Sequence, residues 1–493
     1  MRTIVVGAGL GGLSAACHLA GRGHEVVVLE RESVPGGRAG VVEEAGFRID
    51  SGPTVLTMVG LLAEVFAAAG AAIEDHLTLR PLDPTYRACF PDGSELRVRR
   101  DRQEMADEIR AFAGAGEAAA FERFCSWLGE LYRLELPHFI DRNYDSALDL
   151  ARAPGALARL VRLGGLRKLA PTVARFFRDP RLQRIFSFQS MYAGLSPFEA
   201  LAIYSVITYM DTVEGVYFPE AGMHEVPRGL TSAAEKAGAV FQFGTPVARI
   251  TRHPDGSVQG VRLASGELVS ADAVVCNVDV AVAYRALLGL PPPRVAQSGR
   301  YSPSCIVWLA GVRGALPDGA AHHNIHFGRT WREAFTALLE DGRRMPDPSM
   351  LVTGATASDP SLAPDGSTTL FALEPAPNLD GRVDWAAERP RLRAELATRV
   401  GELGYPVDDV VVERLTDPRD WEAQGLERGT PFALAHRFFQ TGPFRPGNVD
   451  RRIPGLVFTG MGTVPGVGIP MVLISGRLAA ERVDEWAGVR GRR

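Results

Sequence analysis

Apolar and polar positions fall along this chain in short blocks of two kinds. Residues 3–6 (TIVV) are a β-branched run closed by glycine, the pattern of a buried parallel strand. Residues 11–21, rich in Ala and Leu, predict a helix that Gly21-Arg22-Gly23 ends, and 25–29 (EVVVL) predicts a second strand. Far downstream, a helical SAAEKAG stretch leads to strand-like pieces at 247–250, 258–263 and 272–275. A last short strand at 456–459 runs into a glycine-rich loop and an Ala-rich helix. The two ends and one middle segment are therefore α/β, and the long stretches between them are mixed. No internal repeat or low-complexity tract is present, and Pro291–Pro293 marks a crossing point between parts of the chain.

With 493 residues the chain exceeds what one hydrophobic core supports, so two or three domains are expected. A net charge of -4 argues against a nucleic-acid binder, which carries a basic excess. The five cysteines are odd in number, scattered and never in a C-x-x-C pair, which excludes a disulfide framework or zinc ribbon and suits a reducing cytoplasm. Arg2 before an apolar stretch mimics a secretory signal, but Gly7, Gly9, Gly11 and Gly12 interrupt that stretch and it passes into a charged strand end. No apolar run reaches spanning length.

Gly7-Ala-Gly9-Leu-Gly11-Gly12 contains G-x-G-x-x-G directly after a strand and at the opening of a helix. Gly7 permits the tight turn, Gly9 lets backbone amides approach a pyrophosphate, and Gly12 allows close helix–strand packing. Glu30 ends the second strand, 18 residues beyond Gly12, where an acid bonds a ribose hydroxyl. With strand, helix, second strand and acid in register, this is a dinucleotide-binding βαβ unit. No second such fingerprint is evident, which argues against a stable NAD(P)H site.

The sequel is Arg31, then Pro35-Gly36-Gly37-Arg38, then Phe47-Arg-Ile-Asp-Ser-Gly52-Pro53-Thr54. Here the chain resembles the flavin amine oxidase superfamily, in which a G-G-R segment lies against the FAD diphosphate. Arg38 supplies a bidentate, permanently charged phosphate contact, and Val247 matches the position whose backbone meets adenine. The segment Gly460-Met461-Gly-Thr-Val-Pro-Gly-Val-Gly468-Ile469-Pro470-Met471 is similar to the loop of the bacterial-type phytoene (carotenoid) desaturases that passes beside the isoalloxazine. The resemblance extends through FSFQSMYAG (186–194), EGVYFPEAGM (214–223), the His322-His323 pair, SDPSLAPDG (358–366) and FRPGN (444–448). Val464 stands where the family often carries His, Ala221 replaces a usual glycine, and Met461 and Met471 replace smaller residues.

The resemblance implies an α/β fold. A Rossmann-like FAD-binding domain (1–75, 226–290 and 448–493) is interrupted by a discontinuous α+β substrate domain (76–225 and 291–447) with a helical membrane-binding region. It implies FAD as cofactor and an apolar, phytoene-like polyene as substrate. Allylic C–H bonds are too weakly acidic for a side chain to attack first, so hydride passes to flavin and a proton is lost afterwards, with FAD carrying the difficult step. Asp149-Leu-Ala-Arg152-Ala resembles a D-x-x-R-A stretch near the flavin, which makes Asp149 the candidate proton acceptor and Arg152 its positioning partner. The same pair is also what a salt-bridged helical i, i+3 contact looks like. His322, His323 and His326 have strand-like flanks and no carboxylate to complete a set, so no metal is expected.

Residues 151–185 hold eight arginines and Lys168 against a single acid, Asp179, with apolar residues between them. Such a segment fits an anionic membrane surface; the alternative is a solvated face whose acidic partners lie elsewhere in the fold. The substrate favours the first. At ~0.8 kcal/mol per methylene-sized group, a forty-carbon hydrocarbon costs on the order of 30 kcal/mol to dissolve in water, so it should pass directly from bilayer to site. A peripheral, monotopic enzyme on the cytoplasmic side of the membrane is expected, with oxygen or a quinone as electron acceptor. Three readings compete: an amine oxidase, which needs an aromatic amine-recognising cage; a carotenoid ketolase, isomerase or desaturase of a modified carotenoid; and a non-enzymatic binding protein of the Rab-escort kind, which would show a damaged flavin site.

Overall fold

A computed structural model describes residues 1–490. The β-branched runs form five parallel strands: β1 (Arg2–Val6), β2 (Glu25–Leu29), β3 (Val240–Gln242), β4 (Ala273–Cys276) and β5 (Leu456–Phe458). Their spatial order is β5-β4-β1-β2-β3, with every neighbouring pair parallel. β1 is central because Ile4, Val5 and Val6 are buried from both faces. Three distant stretches of chain therefore build one sheet. Strand succession reverses direction at β1, and the crevice beyond such a reversal is where a doubly wound sheet binds its ligand.

Helix α1 (Leu10–Gly21) packs on this sheet and is crossed by the terminal helix α2 (Ile469–Arg490). The crossing is close because both helices are small there. A Cβ on Gly476 would lie 2.5 Å from the Ser14 Cβ, and the Ser14 hydroxyl donates to the Leu473 carbonyl at 2.7 Å. A three-stranded antiparallel sheet (Val247–Arg252, Val258–Leu263, Leu268–Ser270) covers the other side.

The rest of the chain builds a seven-stranded mixed sheet and a helical layer. The sheet runs Val410–Thr416, Ser304–Arg313, Ser367–Ala376, Met350–Thr353, His323–His326, Tyr86–Cys89, Glu95–Val98. The strand Ser304–Arg313, one of its two longest, shows how period-two alternation divides two environments. Ile306, Trp308 and Ala310 pack beneath the helix Trp385–Glu402, whereas Cys305 and Val307 face the interior of the molecule. Opposite that inner face stands a layer that includes Ala115–Glu135 and short turns through residue 213.

The 151–185 segment is broken into Pro154–Arg162, Leu169–Val173 and Pro180–Ile185. Arg159 pairs with Glu130 and Arg181 with Asp179, while Arg184 donates to the carbonyls of Gly328 and Arg329. Arg162, Arg167, Arg175 and Arg178 are exposed and make no ion pair among the described residues. The segment is thus partly neutralised from elsewhere in the fold and partly an unpaired basic surface. No described helix is long and apolar enough to cross a membrane.

Ala221 adopts φ 64°, a left-handed conformation that costs an L-residue ~1–2 kcal/mol. The Asp359 carboxylate accepts its N–H at 2.8 Å and holds it there. Replacement Gly476→Val should force α1 and α2 apart and cost about 1–3 kcal/mol, read as a lowered Tm; an unchanged Tm would mean that the crossing is loose.

Candidate functional site

Two structural halves enclose one cavity of about 1460 Å³. Every cofactor-contact residue expected from the sequence lines it except Gly12: Gly7, Gly9, Gly11, Glu30, Arg31, Gly36, Gly37, Arg38, Gly52, Pro53, Thr54, Val247, Gly460, Met461, Gly468, Ile469, Pro470 and Met471. Gly12 sits behind the wall. A Cβ there would lie 2.1 Å from the Gly7 carbonyl oxygen, so only glycine lets α1 start against the end of β1.

Gly9 caps α1 with no side-chain hydrogen bond, which leaves the first-turn N–H groups directed at the cavity. Asn277, at the end of β4, fills the centre of the turn. Cβ atoms on Gly9, Gly11 and Gly460 would each come within 2.8 Å of its amide, and one on Gly11 would come within 3.1 Å of the Gly460 backbone. Asn277 and Asp279 escaped the sequence reading, although CNVD directly after a predicted strand was a usable signal. The Asp279 carboxylate accepts from the Ala281 N–H at 3.0 Å, and burial pushes its pKa up to about 6.

Glu30 is buried at the end of β2, and its carboxylate accepts N–H bonds from Ala8 (2.6 Å) and Glu32 (3.0 Å). Gly36 donates to the Ala8 carbonyl at 2.9 Å, tying the G-G-R segment to the glycine turn. Arg38 follows. Its guanidinium donates to the Pro431 carbonyl at 2.5 Å and lies against the Met461 sulfur, with no carboxylate within ion-pair distance among the described residues. Burial lowers its pKa to about 10, so it stays charged at neutral pH. A half-buried, carbonyl-bound cation beside uncapped helix N–H groups fits a dinucleotide diphosphate. Gly52 is required here, because a Cβ would lie 1.8 Å from the Arg38 carbonyl oxygen.

Beyond this cradle the wall is apolar. Phe188, Ile325, Phe327, Leu351, Phe371 and Leu373 line it from the helical layer and the inner sheet face, and Met210 and Met471 meet in a cluster with Met58 and Val206. The far rim is formed by Leu157, Val161, Leu166 and Phe438. Val161, Phe438 and its neighbour Phe439 are 53%, 48% and 72% exposed, unusual for large apolar groups. The Phe438-Phe439 pair was not singled out in the sequence; two adjacent aromatics without an alternating pattern give no strand or helix signal.

Asp149 and Arg152 are together but outside the cavity wall, which only the intervening Leu150 reaches. Asp149 accepts the N–H groups of Asp145 (2.7 Å) and Ser146 (2.9 Å) as part of a capping box, and Arg152 pairs with it at 3.0 Å. These backbone donors, followed by the arginine, hold its carboxyl below the usual range. Its lone pairs are engaged in fixing a turn. His322, His323 and His326 are buried on or beside one strand, bonded to Ser358, the Thr54 carbonyl and Tyr405, and no metal-ligand group of three occurs among the described residues.

Arg38→Ala should weaken FAD retention by tenfold or more, from the ~1.5–3 kcal/mol of a charged hydrogen bond, measured as flavin content after gel filtration; unchanged content would remove Arg38 from the cradle. Asp149→Asn should lower Tm while turnover per bound flavin persists, since the carboxylate caps a turn; lost turnover at unchanged Tm would return Asp149 to the chemistry.

The flavin containing amine oxidoreductase family matches residues 10–484. A phytoene dehydrogenase of Streptomyces griseus is 49% identical over 97% of this chain and 94% of its own length. The zeta-carotene-forming phytoene desaturase of Myxococcus xanthus is 39% identical over 99% and 95%. The solved structure of cyclohexylamine oxidase from Brevibacterium oxydans superposes with a TM-score of 0.62 at 17% identity, covering 100% of this chain and 99% of that one, which shows the shared α/β FAD-binding fold. The glycine turn, the G-G-R segment and the C-terminal loop thus converge on one cradle because this chain belongs to the flavin containing amine oxidoreductase family, in its phytoene desaturase branch.

Proposed function

We propose that this chain is an FAD-dependent carotenoid desaturase, which introduces double bonds into a long apolar polyene of the phytoene kind. The carrying observation is that the cofactor cradle opens without a partition into a long cavity walled by Phe, Leu, Ile and Met. Bound FAD supplies a two-electron hydride acceptor. The chain's own residues do the rest. Arg38, Glu30 and the α1 amides hold the dinucleotide, while Met210, Met471 and Phe371 exclude water from the reacting carbons. A hydrocarbon offers no polar handle, so its register along the cavity is set by shape alone.

Membrane contact is part of the same proposal. The cavity rim carries exposed Val161, Leu166 and Phe438, and the unpaired Arg162 and Arg167 stand beside them. Apolar groups at a portal ringed by cations suit an anionic bilayer surface on the cytoplasmic side, where substrate enters without crossing water. A peripheral, monotopic attachment fits this arrangement, and electrons leave to oxygen or a quinone.

Anaerobic mixing of the FAD-loaded protein with phytoene in liposomes should bleach the flavin and produce absorption at longer wavelength; no bleaching would refute the desaturase. In flotation with anionic vesicles, R162E/R167E/R175E should bind on the order of 100-fold more weakly, given about 1 kcal/mol per cation. Wild-type protein that never floats, at any salt concentration, would refute the membrane attachment.

A further inference from the structure

Outside the cofactor cradle, the cavity wall contains two acids among the described residues, Glu135 and Asp211. Their surroundings differ. Asp211 accepts a hydrogen bond from the Thr212 hydroxyl at 2.8 Å, and burial pushes its pKa up to about 7. It faces Tyr86 and the half-exposed Tyr192. Glu135 is 5% exposed, its Oε1 has no hydrogen-bond partner, and it makes no ion pair among the described residues. Burial alone acts on it and raises its pKa well above the carboxylate range.

Glu135 also stands next to the apolar cluster that reaches the flavin loop. It is the last residue of the helix Ala115–Glu135, and the next turn brings Leu136 and Ile140 into the cluster with Met58, Met210 and Met471, in the first turn of α2. From the other side Tyr204 faces it, and the Tyr204 hydroxyl donates to the His436 carbonyl. The His436 ring in turn leaves no room for a Cβ on Gly466, in the same loop. A leucine at position 135 would fill this wall without burying an unsatisfied acid, so a buried, unpartnered carboxyl on a cavity wall marks a candidate for chemistry.

We propose that Glu135 is the catalytic residue that takes the proton from the polyene, an inference that rests on the desaturase reading above. Loss of hydride, with its electron pair, to the flavin leaves an allylic cation on the substrate. A C–H bond on the neighbouring carbon then breaks. Its proton forms an O–H bond with the Glu135 carboxylate, and its electron pair becomes the new π bond. The flavin has gained two electrons, the polyene has lost two hydrogens, and a carboxylate and a cation have become two neutral groups. In a low-dielectric cavity that charge annihilation drives the step forward. The same burial that makes ionised Glu135 costly in the resting protein makes it a strong base once a cation forms beside it. The proton passes to solvent before the next cycle.

Among the described residues, few titratable groups face Glu135. Tyr132 lies one turn back on its own helix, Tyr204 lies opposite with His436 and Arg445 behind it, and Asp211 lies along the wall. His436 stays neutral, because burial and then Arg445 hold its pKa well below the usual value. Formation of the longer-wavelength product from phytoene in liposomes should therefore rise with pH as Glu135 ionises, along a limb above the ordinary carboxylate range. The infrared spectrum of the resting holoprotein should show the carbonyl stretch of a protonated acid without a hydrogen bond. E135Q should keep its FAD, lose that band, form product on the order of 100-fold more slowly and lose the limb; E135D should recover part of both. An E135Q variant that forms product at the wild-type rate with the limb intact would overturn the assignment, as would loss of the limb in D211N but not in E135Q. No bleaching in the wild-type protein would instead refute the desaturase reading beneath it.

Discussion

The constraint on which this structure depends is steric: two ends of the chain, more than 440 residues apart, must meet backbone to backbone around Asn277. Gly11 and Gly460 approach so closely that a single methyl group on either would collide with the other or with the Asn277 amide. This contact closes the glycine turn, fixes the start of α1 beside the loop that precedes α2, and sets the spacing between diphosphate cradle and flavin loop. Everything inserted between those ends hangs on that closure.

The second organising feature is the inner face of the seven-stranded sheet. Its alternation sends one set of side chains under a covering helix and the other into the cavity. The residues that line the cavity are therefore ordinary core residues by type. They differ from the covered set only in lacking a protein layer above them. Among such walls a carboxyl without a partner, as at Glu135, stands out by chemistry rather than by position.

That contrast explains what the sequence could reveal. The cofactor cradle was legible because its physics is local: glycines at fixed offsets, a strand before and a helix after, an acid at the end of the next strand. Asn277 was less legible, since its role arises from where β4 lies beside β1. The basic segment was visible as composition, but only the fold separates Arg159 and Arg181, which are paired, from Arg162 and Arg167, which are not. Asp149 shows the reverse case. Its i, i+3 arginine was readable from spacing, whereas its service as a cap to Asp145 and Ser146 emerges only when the turn is seen. Phe438, Phe439 and Glu135 carried no periodic signal, and they matter through what surrounds them.

The absence of a partition between the cradle and the apolar cavity has a bearing on assembly. A space that is continuous from the glycine turn to the exposed aromatic rim has one order of filling. The dinucleotide would have to enter while the hydrophobic end is vacant, for a lipid tail or detergent chain lodged there would compete for the same continuous space. Once bound, an FAD ring held by the glycine turn and the 460–471 loop would border the apolar cavity, so the cofactor itself would wall part of it. Maturation of this protein is then a race between flavin and lipid for a newly folded chamber, and protein made in flavin-poor cells should emerge plugged rather than empty.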